Sequence, residues 1–112
     1  MDKIENYRNI IINILEKYAK ITPVNLPDVE NEIITDTLRD SYQLMRVGFE
    51  NRKRVHYCVF HFDIRNDKIW VQHDITDIPV AQLLLDAGVP KEDLVLGFHA
   101  PYMRELSGFA MA

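Results

Sequence analysis

Apolar residues recur every three or four positions near the start of the chain, which is the spacing of an amphipathic helix. Asp2 can cap this helix, and Glu5 three residues later completes a capping box. We expect the helix to run to about Lys20, because a following proline disfavours helical geometry at Thr22. The predicted buried stripe contains Ile4, Tyr7, Ile11, Ile14, Leu15 and Tyr18.

The middle of the chain changes to a strand pattern, rich in β-branched and aromatic residues that alternate with polar ones. Short polar turns separate four such runs, and Asn66-Asp67 has the residue types of a two-residue hairpin turn. Strands joined so closely pair antiparallel, since a parallel pair needs a long crossover. The predicted strands are 31–37, 41–49, 54–64 and 68–74.

Side-chain alternation assigns the faces of this sheet. With Asn66-Asp67 as the turn, Ile64 pairs with Ile69 and Phe62 pairs with Val71. An even-length turn between the second and third strands is favoured, because it groups the apolar residues. The predicted core face then holds Cys58, Phe60, Phe62, Ile64, Met45, Val47 and Phe49.

The last third of the chain predicts a second helix and a tail. Asp77 can cap this helix, Pro79 suits its first turn, and Gly88 stands where a C-terminal glycine belongs. Residues 94–98 form a short extended stretch and residues 101–106 about one helical turn. The fold class is therefore α+β: an N-terminal amphipathic helix, a four-stranded antiparallel meander, a C-terminal helix and a short extended tail.

Composition limits the class of protein. With 112 residues and 13.1 kDa the chain is expected to be a single domain, 1–112. Its 13 basic and 17 acidic residues give a net charge of −4, which disfavours direct contact with nucleic acid. Cys58 is the only cysteine, so no internal disulfide forms. No apolar run approaches the roughly 20 residues of a membrane span and no signal-peptide pattern begins the chain, so we expect a cytoplasmic protein without membrane contact.

Two arrangements of polar residues suggest alternative chemistry. His61, Asp63 and His99 have residue types that a metal-dependent hydrolase uses, although metal-ligand spacing is lacking and His73 has the wrong parity to join His61. Half-buried sheet histidines are the favoured interpretation. No nucleophile or phosphate-binding motif appears, and Cys58 is expected to be buried and inert, so we predict no catalytic residue, metal or cofactor.

The only concentration of basic residues is Arg46, Arg52, Lys53 and Arg54. These residues would carry direct DNA binding if it occurs. The favoured interpretation is a charged hairpin tip that keeps a sheet edge soluble.

The second face of the predicted sheet mixes aromatic and polar side chains that are costly to leave in water. Tyrosine, tryptophan and arginine dominate binding hot spots. Either the tail from Leu94 to Ala112 covers this face or another chain does, and we favour a partner because two helices provide little material. With Val55 beside them, the residues of the candidate partner interface are Tyr57, Val59, His61, Asp63, Trp70, Gln72, His99, Tyr102 and Arg104.

Several ordered strings of the sequence resemble the XisI-like family, the fdxN element excision controlling factor family. They include Asp36–Leu44, Cys58–Ile64, Lys68–Gln72 and Gly88–His99, and the tail from Pro101 completes the resemblance. The family often has two prolines after the histidine, where this chain has Ala100-Pro101. It also often has a glycine in the turn after the second strand, where this chain has Glu50-Asn51.

The resemblance implies a small α+β protein that supports programmed excision of a DNA element by a site-specific recombinase. The resemblance also implies an XisH-like protein encoded in the same operon, so the expected partner is an XisH-like protein, with a site-specific recombinase as a further candidate, together with further copies of the chain. The resemblance supplies no catalytic residues. A non-enzymatic regulatory factor acting through protein contacts is therefore the favoured function, ahead of the metal-dependent hydrolase and of direct DNA binding.

Overall fold

A computed structural model describes residues 2–21 and 27–112 of the chain. A helix is followed by four strands, a second helix, a single 3₁₀ turn (Lys91–Asp93), a short fifth strand and one last helical turn. The elements are α1 (Lys3–Ala19), β1 (Val29–Asp36), β2 (Ser41–Glu50), β3 (Lys53–Arg65), β4 (Lys68–Asp74), α2 (Val80–Asp86), β5 (Leu94–Leu96) and α3 (Pro101–Arg104).

The first helix forms as its periodicity predicts. The side chain of Asp2 accepts a hydrogen bond from the backbone N–H of Ile4 at 3.2 Å, so the predicted N-cap is confirmed. The helix ends at Ala19 with Lys20 as its C-cap. The predicted stop at Thr22 lies outside the described residues. The buried residues of the helix are Tyr7, Ile11, Ile14 and Leu15, all from the predicted stripe.

The sheet has the order β1-β2-β3-β4-β5, and its first four strands form the predicted antiparallel meander. The predicted pairs Ile64–Ile69 and Phe62–Val71 are confirmed. Asn66, Asp67 and Asn51 have φ values of 52°, 62° and 58°. Asparagine and aspartate tolerate this left-handed region better than most residues, so Asn51 can replace the glycine that is common in the family at this turn.

The extended stretch predicted at 94–98 is a fifth strand, β5, which pairs parallel to β4 with α2 as the crossover. The predicted count of four strands is therefore one short. Helix α2 begins after Pro79 without a side-chain cap, so the prediction that Asp77 caps it is wrong. Gly88 follows the helix with a φ of 103°, as expected for a C-terminal glycine.

A β-bulge in β3 reverses part of the predicted face assignment. Leu44 pairs with Phe60, but the next residue, Met45, pairs with Cys58, so Val59 is an extra residue in β3. Val59 is 2% exposed and belongs to the core cluster. Between the β2–β3 turn and Cys58, each β3 side chain therefore lies on the opposite face of the sheet from the predicted one.

The consequences for the predicted faces are direct. Cys58, predicted in the core, lies half-buried on the opposite face with its partner Met45. Val47 and Phe49 follow Met45 to that face, so the prediction that they are core residues is wrong. Val55 and Tyr57, predicted to lie opposite the core, are on the core side instead.

Helices α1 and α2 cover one side of the sheet, here called the helix face. Their apolar residues form a single cluster with those of the strands. The other side is called the open face. The core on the helix face contains Tyr7, Ile11, Ile14, Leu15, Tyr42, Leu44, Val59, Phe60, Phe62, Ile64, Ile69, Val71, Val80, Leu84, Val89 and Leu94.

Within residues 2–21 and 27–112, no helix combines the length and apolar character that a membrane crossing demands.

Candidate functional site

Polar side chains gather around Asp63 on the open face, and this group is called the Asp63 cluster. Asp63 is only 5% exposed. Its carboxylate accepts hydrogen bonds from Arg65 Nη2 at 2.9 Å and from Gln72 Nε2 at 3.1 Å, and it lies 3.0 Å from His61 Nε2. Ser41 lies directly opposite Asp63 in the β2–β3 register. A buried carboxylate is thus fully surrounded by donors.

This environment keeps Asp63 ionised. Burial alone would raise the pKa of Asp63, but hydrogen bonds from Ser41 and Gln72, together with the charge and hydrogen bond of His61, lower it below its ordinary value. The neighbouring Arg65 adds a positive charge. The cluster is therefore a stable ion pair with several hydrogen bonds, and its oxygens are already used.

The three residue types of a nucleophilic triad meet in this cluster without the geometry of one. Ser41 Oγ lies 3.2 Å from His61 Nε2, and the same nitrogen faces Asp63 Oδ1 at 3.0 Å. A triad needs the nucleophile and the acid on different ring nitrogens, so that one accepts the proton while the other is oriented. One shared nitrogen cannot do both tasks.

The predicted metal set is not assembled. Among the described residues, no group of three histidine, cysteine, aspartate or glutamate side chains is placed to hold a metal ion. The ring of His99 instead lies against that of Phe98, with 4.5 Å between the centroids and 51° between the ring planes. His73 pairs directly with His61, contrary to the predicted parity, because Gln72 is an extra residue in a second bulge. His73 is nevertheless exposed, and it joins no ligand group.

The C-terminal tail covers Trp70. The guanidinium groups of Arg65 and Arg104 lie 5.6 and 5.1 Å from the indole centroid. A side chain on Gly97 would meet Trp70 at 3.2 Å and Gln72 at 2.7 Å, so the chain passes closely over both. Within the described part of the chain, the enclosed Trp70 Nε1 has no hydrogen-bond partner. The protein's own tail therefore covers this part of the open face.

Tyr57 and Val59, which the predicted interface includes, lie apart from the Asp63 cluster and Trp70. Val59 is in the core, and Tyr57 lies on the helix face with 37% of its surface exposed. The Tyr57 hydroxyl accepts a hydrogen bond from Arg46 Nη1 at 3.3 Å. The bulge at Val59 is the physical reason for this separation.

Arg104 fixes the tail by three backbone contacts. Its guanidinium donates to the carbonyl oxygens of His99, Gly97 and Met111 at 3.0, 3.4 and 3.4 Å. Ala110 forms an isolated bridge with Val95, so the end of the chain is attached to β5. These contacts hold the tail in one position on the sheet.

Large apolar side chains are exposed along this tail, and together they are called the tail patch. Tyr102 is 72% exposed and Leu106 is 81% exposed. Sequence reasoning identified Tyr102 but missed the others; the signal was the density of large apolar residues after Gly97. The tail patch contains Phe98, Tyr102, Met103, Leu106 and Met111.

The basic residues of the β2–β3 hairpin divide into two groups. Arg46 donates to Asn31 Oδ1 at 3.2 Å and to Tyr57, and Arg54 lies over the ring of Phe49 at 5.0 Å. Arg52 and Lys53 are exposed near the tip. Arg46 lies on the helix face and Arg54 on the open face, so the predicted DNA-binding set does not form one surface.

Comparison with known proteins gives consistent matches. The sequence model of the family described as "XisI protein" matches residues 1–111. The crystal structure of a XisI-like protein from Anabaena variabilis ATCC 29413 has a TM-score of 0.90 and 40% identity, covering 99% of this chain and 100% of that chain. The fdxN element excision controlling factor XisI of the same organism has a TM-score of 0.85 and 38% identity with the same coverage. No curated protein matches the chain.

Proposed function

Because the chain belongs to the XisI family, we propose that it controls excision of a DNA element as a non-enzymatic factor that acts through contacts with other proteins. The description of one relative as an excision controlling factor supports the regulatory role. The proposed partner is an XisH-like protein, and the recombinase is the alternative. The proposed location is the cytoplasm, because excision of a DNA element acts on the DNA of the cell.

The tail patch is the observation that carries this proposal. Single exposed apolar residues are normal on a soluble protein, but a concentration of them marks an interaction surface. Tyr102 is also a residue type that is enriched at interface hot spots. The patch offers a partner five exposed apolar side chains within one short segment.

The attachment of the tail favours binding. Arg104 and strand β5 hold the segment on the sheet before any partner arrives. Preordering lowers the conformational entropy that association costs, so more of the apolar contact appears as affinity. Of the predicted interface residues, Trp70 and Gln72 act here as support beneath the tail, while His99 and Tyr102 lie on it.

Co-purification from the native cell tests this proposal. The tagged wild-type chain is expected to retain an XisH-like protein or a recombinase, and Leu106→Ser is expected to lose it. Leu38→Ser is the matched control, because Leu38 is 85% exposed in the β1–β2 turn, far along the chain from the tail patch. Equal retention of the partner by both variants would refute the role of the tail patch.

A further inference from the structure

The open face of β1, β2 and β3 carries three rows of different character. Glu30 and Glu32 form an acidic row on β1, Met45 and Val47 an apolar row on β2 that Phe49 extends, and Arg54 and His56 a basic row on β3. The register aligns them, since Glu30 pairs with Val47 and Val47 pairs with His56. Glu30 is thus separated from His56 by Val47, while Glu32 lies across Met45 from Cys58.

These charges are not neutralised within the chain. Among the described residues, neither Glu30 nor Glu32 forms an ion pair, and neither does Arg54. Strands β1 and β3 are two positions apart in the sheet, which is about 9 to 10 Å. At this distance, most side-chain conformations cannot form an ion pair between the acidic row and the basic row of the same chain.

We propose that this part of the open face docks against the same face of a second copy of the chain. A two-fold axis parallel to β2 and between the two copies places β1 of each copy over β3 of the other. Glu30 of each copy then lies over His56 of the other, two residues along β3 from Arg54, and the two apolar β2 rows meet at the axis. Sheets pack face to face in this manner at about 10 Å.

Charge complementarity favours a second copy over another occupant. A partner of one sign would be attracted by one outer row and repelled by the other, whereas the face itself carries both signs in the order that a two-fold requires. An apolar centre within a charged rim is also the usual composition of an interface.

The same geometry leaves the tail patch free. The axis along β2 carries β4 and the tail of each copy beyond the edge strand β1 of the other copy. Strand order places β4 beyond β3, and the tail is attached on the far side of the sheet from β1, through β5 and the contacts of Arg104. Self-association and binding of an XisH-like protein are therefore independent, and each can fail without the other.

Sedimentation velocity and light scattering of the full chain at low salt test the proposal. The wild type is expected to dimerise, and Val47→Lys is expected to raise the dissociation constant at least tenfold. Glu30→Lys and His56→Glu are each expected to weaken the dimer, and the double variant to restore it, because the register places Glu30 of one copy over His56 of the other. Ile75→Ser is the control, because Ile75 is exposed outside β1, β2 and β3, and it is expected to keep the wild-type dissociation constant.

A second measurement does not depend on affinity. In a Cys58→Ser background, Val47→Cys lies at the proposed axis. Sheets about 10 Å apart are too distant for a direct disulfide, so we expect a bismaleimide with a reach of about 10 Å to link Val47→Cys to its own copy, whereas Ile75→Cys is not linked. A monomeric wild type, a dimer unaffected by Val47→Lys, no rescue by the charge exchange, or equal cross-linking at both positions would overturn the proposal. Loss of XisH-like binding in Val47→Lys would assign the face to that partner and would overturn it as well.

Discussion

Arg104 lies over the indole of Trp70, with 5.1 Å between the guanidinium carbon and the ring centroid. The same guanidinium donates to three backbone carbonyls of the tail. One side chain thus joins the tail, which carries the exposed apolar residues, to the sheet.

Replacing Arg104 by methionine should loosen the tail. The change removes the cation–π contact and the charge-assisted hydrogen bonds while it keeps most of the side-chain volume, and we expect a loss of about 1 to 3 kcal/mol in the free energy of unfolding. Urea unfolding measures this loss, and hydrogen exchange should show faster exchange of the β5 amides. Arg52→Met at the exposed hairpin tip is the control; equal stability of the two variants would contradict this role.

Asp63 should make the stability of the fold depend on pH. Because folding lowers the pKa of this carboxyl, its charged form stabilises the protein at neutral pH, and the stabilisation is lost as the pH falls through and below the ordinary value near 4. Asp63→Asn should therefore lower the free energy of unfolding by about 1 to 3 kcal/mol at pH 7.

The difference between the wild type and Asp63→Asn is the diagnostic quantity, since the other carboxyl groups contribute equally to both. It should be largest near pH 7 and should shrink as the pH falls below about 4. A difference that stays constant from pH 7 to pH 3 would mean that the carboxylate charge has no part in it.

Gly97→Ala should disturb the contact between tail and sheet by steric means alone. The new methyl group would lie 2.7 Å from Gln72 Oε1, so the Gln72 amide must move and give up its hydrogen bond to Asp63. We expect a loss of about 1 kcal/mol in the free energy of unfolding. A structure of the variant with Gln72 unmoved would contradict this reasoning.

Metal removal should leave the protein unchanged. Both carboxylate oxygens of Asp63 already face donors, and Arg65 would repel a divalent cation at the same place. Elemental analysis should find substoichiometric zinc and manganese, and chelation with EDTA should not shift the melting temperature. Stoichiometric metal that chelation removes with a loss of stability would revive the hydrolase alternative.

Periodicity predicted the elements well because local forces set them. The stripe of α1 and the antiparallel order of β1 to β4 follow from spacing and turn residues. The bulge at Val59 could not be predicted, since neither a glycine nor another local signal marks it, yet one extra residue moves Cys58 and Tyr57 to the other faces. The extended stretch at 94–98 is predicted, but it is too short for periodicity to show that it joins the sheet as β5.

The candidate site was predicted in part for the same reason. Asp63 pairs with Trp70 as the turn at Asn66-Asp67 predicts. Gln72 still reaches Asp63 from its bulge, whereas His61 pairs with His73 because the bulge shifts the register. That Arg104 would return from the tail to cover Trp70 depends on the parallel pairing of β5, which is a contact distant in sequence.

Titration of a purified XisH-like protein into this protein by calorimetry measures the central interaction directly. We expect the wild type to bind, and Tyr102→Ala to weaken binding by more than about 1 kcal/mol, which is more than about fivefold in the dissociation constant. Tyr57→Ala, which alters an exposed tyrosine on the helix face, should bind like the wild type. Equal dissociation constants for Tyr102→Ala and the wild type would contradict the account.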